Sequence, residues 1–323
     1  MGLSACGSSP KPSDSSSQPP TSSQPSGEDT AEKPTADAKT ARVFGFSPPT
    51  MNNPFFLWIE EHVREVVEGN GDTLITADPQ LDTQKQISQI EDMLTQNIDV
   101  LLLCPFDSTS IKTALVAANE AGVPVIIFDT PVVNPELVAT TVASDNFNAG
   151  YVVGKDMMTN LEEGSEIAVI YSPAGETDRK RIGGFNAAVG DYFNIVAQMD
   201  GKGDTGVTLP IAEDILQAHP NLKGFFCCND PSAIGAVQAV AAAGIKSGDI
   251  VIYGVDGAPE AKAAIISGEM YGTGAQSPTN IAKLAVQAAY DYLDGKELKE
   301  NTVVDTFIIN KDNVNDFGVE GFQ

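Results

Sequence analysis

Basic residues are scarce in this chain. Its 323 residues carry 19 Lys and Arg against 44 Asp and Glu, a formal net charge of -25. An acidic excess of that size argues against nucleic acid and against an anionic membrane surface as partners. The basic trio Arg179-Lys180-Arg181 is too short for a nucleic-acid footprint. Histidine is rarer still: His62 and His219 lie far apart, with no metal-ligand spacing and no nucleophile–His arrangement. A phosphate-cradling glycine-rich loop is also missing. These absences point away from an enzyme and imply neither cofactor nor metal. No apolar run is long enough to cross a bilayer. Of the four cysteines, Cys227 and Cys228 are neighbours, so a bridge between them would be strained. With Cys104 they sit in apolar runs and read as small buried thiols.

What is present begins with an address. Leu3-Ser4-Ala5-Cys6 is similar to the end of a bacterial lipoprotein signal, in which the cysteine is lipidated after cleavage. The basic and apolar parts of such a signal do not precede it, as expected of a chain trimmed at its start. From Ser8 to about Thr40 the chain is Ser, Pro, Thr, Asp and Glu with almost no apolar residue. Such a segment buries too little surface to offset its ordering entropy and is expected to remain a disordered tether. Lipidation at Cys6 followed by a solvated tether places the protein on the extracellular face of a Gram-positive membrane.

From Ala41 onward, short β-branched runs alternate with amphipathic stretches. Strands are expected at Arg42–Phe46, Thr73–Ala77, Asp99–Cys104, Val123–Phe128 and Val138–Ala143, with helices between them. Asn53-Pro54 reads as a helix start, Asn as cap and Pro at the first helical position. A second series follows from Phe147, and a single strand Thr302–Ile309 closes the chain. Two series of βα units imply an α/β protein of two doubly wound, parallel-sheet, Rossmann-like lobes. In such sheets ligands sit beyond the carboxyl ends of the strands. The loops there include Ser47–Phe56, Pro105–Ser108, Asp129–Pro131, Ser172–Arg181, Asn229–Ser232, Asp256–Ala258 and Gln276–Thr279, rich in Asn, Asp, Ser and Gln.

Those loops carry a resemblance. Asn52-Asn53-Pro54-Phe55-Phe56, Pro105-Phe106-Asp107-Ser108, Val123-Pro124-Val125-Ile126 and Ala143-Ser144-Asp145-Asn146 come first. Arg181 with Gly183-Gly184-Phe185, Ala218-His219-Pro220, Cys228-Asn229-Asp230, Gly254-Val255-Asp256-Gly257 and Ala275-Gln276 follow. In this order they resemble the pentose/hexose-binding proteins of ABC importers, the ribose-binding kind of type I periplasmic binding protein. The similarity covers essentially everything after Ala41.

The resemblance implies a solute-binding protein whose two lobes close on a monosaccharide and deliver it to the permease subunits. It implies three domain spans: residues 1–40 as tether, 41–144 plus 277–305 as one lobe, and 145–276 plus 306–323 as the other. A three-segment hinge would involve Ser144, Asp145, Ser277 and Asp305. The carried-over ligand contacts are Asn53, Phe55, Phe56, Asp129, Arg181, Asn229, Asp256 and Gln276. Carboxylates, amides and a guanidinium suit hydroxyls, and aromatic rings suit sugar C–H faces.

Two positions depart from the ribose binders. Thr130 stands where they carry Arg, and Gly201-Lys202-Gly203-Asp204 stands where they carry a second-lobe aromatic. With Thr130 counted at the site, the pocket is expected to be roomier and poorer in donors. A hexose, deoxysugar or related polyol then fits better than ribose, although a pentose stays within the class. Trp58 reads either as a replacement ring or as core. Asn53 also reads as a cap, and Asp107-Ser108 as a capping pair. The protein is expected to be a monomer. A sensing role beside a chemoreceptor or sensor kinase would need the same site. A transcription regulator would need a helix-turn-helix, of which residues 1–40 show no pattern.

Removing residues 1–40 should leave ligand affinity unchanged in calorimetric titration. A large loss would contradict the tether reading.

Overall fold

The structure is a computed structural model and describes residues 41–323; the tether and lipidation readings for residues 1–40, Cys6 included, lie outside them. The first series is β1 (Val43–Ser47), α1 (Pro54–Gly69), β2 (Thr73–Thr76), α2 (Thr83–Thr95), β3 (Val100–Leu103), α3 (Lys112–Glu120), β4 (Val125–Phe128) and β5 (Thr140–Ser144). The second opens with α4 (Asn146–Asn160), β6 (Glu166–Tyr171), α5 (Glu176–Val189), β7 (Asn194–Asp200) and α6 (Thr205–Ala218). It continues through β8 (Gly224–Cys227), α7 (Asp230–Ala242), β9 (Val251–Asp256), α8 (Pro259–Ser267) and β10 (Gly272–Ala275). The chain ends in α9 (Pro278–Leu293), β11 (Asn301–Val304), β12 (Phe307–Asn310) and the short α10 (Val314–Phe317).

Two six-stranded sheets result. Their orders are β11-β5-β4-β3-β1-β2 and β12-β10-β9-β8-β6-β7. The first is parallel throughout; in the second, β12 alone runs antiparallel, against β10. Helices cover both faces of each sheet, which is why the central strands β3, β4 and β8 are apolar and buried at every position. One face of the first sheet packs with α1 and α9 around Phe44, Phe46 and Phe128, and the other carries Leu101, Leu103 and Ile127 under α2 and α3. In the second lobe Phe185 stacks on Phe226 at 4.3 Å between ring centroids.

The expected strand Thr302–Ile309 is two strands in two sheets. Val304 pairs with Ser144 in the first sheet, and Phe307 pairs with Ala275 in the second. Asp305 and Thr306 carry the chain across. Every residue of 302–309 except Asp305 is β-branched or aromatic, so strand propensity runs through the crossing and does not reveal it. Strand β10 is not expected from the sequence, because Gly272-Thr273-Gly274-Ala275 has Thr273 as its one β-strand former. The helix α4 explains the glycine: a Cβ on Gly274 would come within 2.9 Å of the Ala149 carbonyl oxygen.

Three segments link the lobes. The chain leaves the first sheet after Ser144, returns from β10 to α9 through Gln276 and Ser277, and crosses again at Asp305–Thr306. Two crossings are tied together. The Asp145 amide donates to the Val304 carbonyl at 2.8 Å, and the Thr306 hydroxyl donates to the Asp145 carbonyl at 3.0 Å. Ser277 Oγ donates to the Gln323 carbonyl at 2.6 Å.

The helix pair α4–α5 sits unusually close. A Cβ on Gly150 would fall 1.8 Å from the Arg181 carbonyl oxygen, and one on Gly184 equally near the Phe147 carbonyl oxygen. These glycines therefore set the depth at which α5 presents Arg181. Gly150→Ala should cost about 1–3 kcal/mol through overpacking, measured by urea unfolding. Gly69→Ala, whose Cβ meets nothing within 4 Å, should stay within about 0.5 kcal/mol of wild type.

Candidate functional site

At the carboxyl ends of both sheets the loops face one another across a cavity enclosing about 90 Å3. That space holds several waters or one small polyol and is too small for an oligosaccharide. All nine residues singled out from the sequence line it: Asn53, Phe55, Phe56, Asp129, Thr130, Arg181, Asn229, Asp256 and Gln276. A wider cleft of about 460 Å3 lies alongside and shares Asn53, Gly203 and Asp256.

Each side chain is placed by its element. Asn53 caps α1, its Oδ1 accepting from the Phe55 amide at 2.9 Å. Capping and cavity lining coexist there, because the side-chain amide Nδ2 has no partner. Phe55 and Phe56, in the first turn, form an edge-to-face pair at 5.5 Å. Both are core residues and cavity walls at once. Asp129 follows β4 at φ 61, and Asp256 ends β9 at φ 138. Residues forced to positive φ cost on the order of 1–3 kcal/mol, and such strain clusters at binding sites. Asn229 caps α7 through its Oδ1 and donates to the Gly203 carbonyl at 2.9 Å.

Arg181 is 3% exposed, which sets aside the reading of it as a surface member of a basic trio. Its Nε donates to Asn146 Oδ1 at 2.9 Å and an Nη to the Cys228 carbonyl at 2.6 Å. Asp256 lies 3.6 Å from the guanidinium and Asp178 4.0 Å. Burial alone would lower the arginine pKa, but Asp256, Asp178 and Asp129 outweigh it and hold it above the ordinary value. The carboxylates feel the converse. Burial raises Asp129 and, more strongly, Asp256, with Arg181 opposing in both cases. Burial lifts Asp178 to about 6 against the same opposition.

Several lining residues are not among the ligand contacts expected from the sequence. Phe106 supplies a third ring from the β3–α3 loop, and Leu81, Thr177, Asp178 and Lys202 complete the walls. Phe106 and Asp178 lay within loops already assigned to the ligand edge, so the signal was positional. Trp58 does not line the cavity. Its Nε1 donates to Thr279 Oγ1 at 2.8 Å, and its ring packs on His62 and Phe322. Asp107 caps the turn after it, accepting from the Thr109 and Ser110 amides. Ser108 and Thr130 do something else: they bridge the lobes. Ser108 N–H donates to the Ala174 carbonyl at 3.2 Å, Ser108 Oγ accepts from the Glu176 amide at 3.0 Å, and Thr177 Oγ1 donates to Thr130 Oγ1 at 3.0 Å. Cys104, Cys227 and Cys228 are buried free thiols, as expected, with pKa values pushed up chiefly by burial. Among the described residues no cluster of His, Cys, Asp and Glu has metal-binding geometry, and no helix is long and apolar enough to cross a membrane.

The raised Asp178 pKa has a consequence for stability. Between the ordinary carboxylate value of 3.8 and about 6, the folded chain binds more protons than the unfolded chain, so stability falls as pH rises through that window and then levels off. Asp178→Asn should remove this share. Urea unfolding should find the variant more stable than wild type at pH 7, by up to about 3 kcal/mol, with a flatter curve between pH 4 and 7.

Comparison with known proteins bears on the same architecture. The family of the periplasmic binding protein domain matches residues 44–297. The ribose import binding protein of Bacillus subtilis is 34% identical over 259 residues, 80% of this chain and 84% of that protein. An ABC transporter solute-binding protein from Mycobacterium smegmatis, solved with bound glycerol, superposes with a TM-score of 0.80 at 32% identity, covering 85% of this chain and 96% of that one. Another, from Actinobacillus succinogenes with bound D-allose, superposes at 0.77 with 26% identity over 85% of this chain and 99% of that one. Two parallel-dominated lobes, a polar cavity between them and these likenesses agree: the chain belongs to the periplasmic binding protein family, as a type I solute-binding protein of an ABC sugar importer.

Proposed function

We propose that this protein captures one monosaccharide or small polyol, of hexose, deoxysugar or pentose size, in the cavity between its lobes. It performs no chemistry on the ligand and presents it to the permease subunits in the closed form. The observation that carries this reading is the convergence of all nine sequence-assigned groups on one small cavity at the carboxyl edges of two sheets. Asp129 Oδ1 and Gln276 Oε1 are buried there without a hydrogen-bond partner among the described residues. Unmet acceptors of this kind cost about 1–3 kcal/mol each, which ligand hydroxyls would recover. The rings of Phe55, Phe56 and Phe106 offer apolar faces to sugar C–H groups. The relatives' bound glycerol and D-allose support a polyol of this size.

Closure would turn on the three crossings, with Ser144, Asp145, Ser277 and Asp305 absorbing the change in backbone angles. A ligand favours the closed form only by its differential affinity for it, and contacts from both lobes supply that difference. Ser108 and Thr130 would latch the closed form. The protein acts as a monomer on the extracellular face of the membrane, held by lipid on Cys6; the lipoprotein-like Leu3-Ser4-Ala5-Cys6 and the polar stretch behind it support this.

Isothermal titration against pentoses, hexoses, deoxysugars and inositols should reveal binding by at least one of them. Arg181→Ala and Asp256→Ala should each weaken it by more than about tenfold, the worth of a charge-assisted hydrogen bond. Wild-type affinity in either variant would remove these residues from the site.

A further inference from the structure

The cavity walls hold buried hydrogen-bond acceptors that nothing among the described residues meets. On the acceptor side, Asp129 Oδ1 and Gln276 Oε1 are buried without a partner. Both residues are nearly inaccessible, at 4% and 1% exposure. The Gln276 amide is not free to turn over: its Nε2 donates to Asp256 Oδ1 at 2.7 Å, and only the N–H side can face a carboxylate. Asp256 Oδ2 and Asp178 Oδ1 also accept no hydrogen bond among the described residues, because Asp178 uses its other oxygen on the Ser172 amide.

Several donors are committed. Thr130 Oγ1 gives its hydrogen to Asp129 Oδ2, Thr177 Oγ1 to Thr130, and Asn229 Nδ2 bonds Gly203. Arg181 spends its Nε hydrogen on Asn146 and one Nη on Cys228, and that same Nη lies 3.6 Å from Asp256 and 4.0 Å from Asp178. What remains for a ligand among the lining side chains is the Asn53 amide, the other Nη of the guanidinium, the second Asn229 N–H and the hydroxyls of Thr50 and Ser172, all neutral but the guanidinium.

Charge follows the same asymmetry. Asp129, Asp178 and Asp256 line the cavity with Arg181 as the one buried cation among its lining residues. Lys202 stands at the rim, exposed, where water screens it. Asp230, behind Asp256, is bonded to Thr273 and to the Ala258 amide and shares its field with the buried Lys262. The cavity thus holds carboxylates in excess of cations in a site shielded from solvent. A hydroxyl donates one hydrogen and also needs to accept; an ammonium donates three, accepts none and brings the missing positive charge.

We infer that the cavity is built for a polyol bearing a protonated amine, an amino-substituted monosaccharide or aminocyclitol, with the ammonium among Asp129, Asp178 and Asp256. The inference rests on the capture reading above and narrows its ligand. The competing account is that the carboxylates take up protons as the lobes close over a neutral sugar.

Titration calorimetry at pH 7 against glucose, galactose, mannose and inositol, each beside its amino-substituted counterpart, decides between them. Repeating each titration in buffers of differing ionisation enthalpy reads the protons exchanged. The expected result is an amino compound bound about tenfold or more tighter than its parent, without net proton uptake. Asp178→Asn should shrink that preference. A parent sugar that binds as tightly as its amino counterpart, or binds with proton uptake, would overturn the inference and leave the capture reading standing. If neither class binds, the inference is overturned; if pentoses and deoxysugars fail as well, the capture reading falls with it.

Discussion

One guanidinium organises the cavity. Arg181 is anchored from behind by Asn146 and the Cys228 carbonyl, so its position is a property of the second lobe and not of the ligand. From there it meets Asp256 of its own lobe and feels the field of Asp129 of the other. Without it, three carboxylates would lie buried with no compensating charge, a condition proteins do not tolerate. The helices α4 and α5 approach almost backbone to backbone at Gly150 and Gly184 to put it there. Packing far from any ligand therefore fixes the electrostatics of the cavity.

Around that centre the two lobes contribute unlike chemistry. The first supplies Phe55, Phe56 and Phe106, with Asn53 and Asp129 between them; the second supplies mostly polar groups. A polyol has both kinds of surface, C–H faces and hydroxyl edges. A cavity with an aromatic side and a polar side can grip both, but only when the lobes are together. Ser108 and Thr130 hold them so by bonding Ala174, Glu176 and Thr177 across the gap. Two of the crossings are themselves cross-bonded at Asp145, Val304 and Thr306.

Much of this was legible in the chain. Apolar runs of four to six residues between capped helices announced parallel strands covered on both faces. Asn53-Pro54 announced the start of α1. Position at strand ends then marked the loops that now face the cavity. The failures have physical causes. Strand β10 is glycine-rich because α4 presses on Gly274 and the neighbouring strands on Gly272, and strand propensity carries no record of a neighbour. The break between β11 and β12 interrupts a run of β-branched and aromatic residues only at Asp305, so two strands read as one. Trp58, attractive as a lone ring, faces Thr279 and Phe322 instead of the cavity.

The amino-acid order by itself determined the βα alternation, the two-lobe architecture and the set of polar and aromatic groups available to a ligand, because periodicity and caps are local properties. Tertiary structure alone decided which of those groups are spent on one another. That Thr130 is a bridge between lobes, that Gln276 is locked by Asp256, and that Asp178 joins Asp129 and Asp256 beside a single arginine depend on contacts between residues tens to more than a hundred positions apart. Burial then turns those contacts into charge and hydrogen-bond imbalance, because carboxylates that water would solvate are left to be satisfied by whatever the cavity admits.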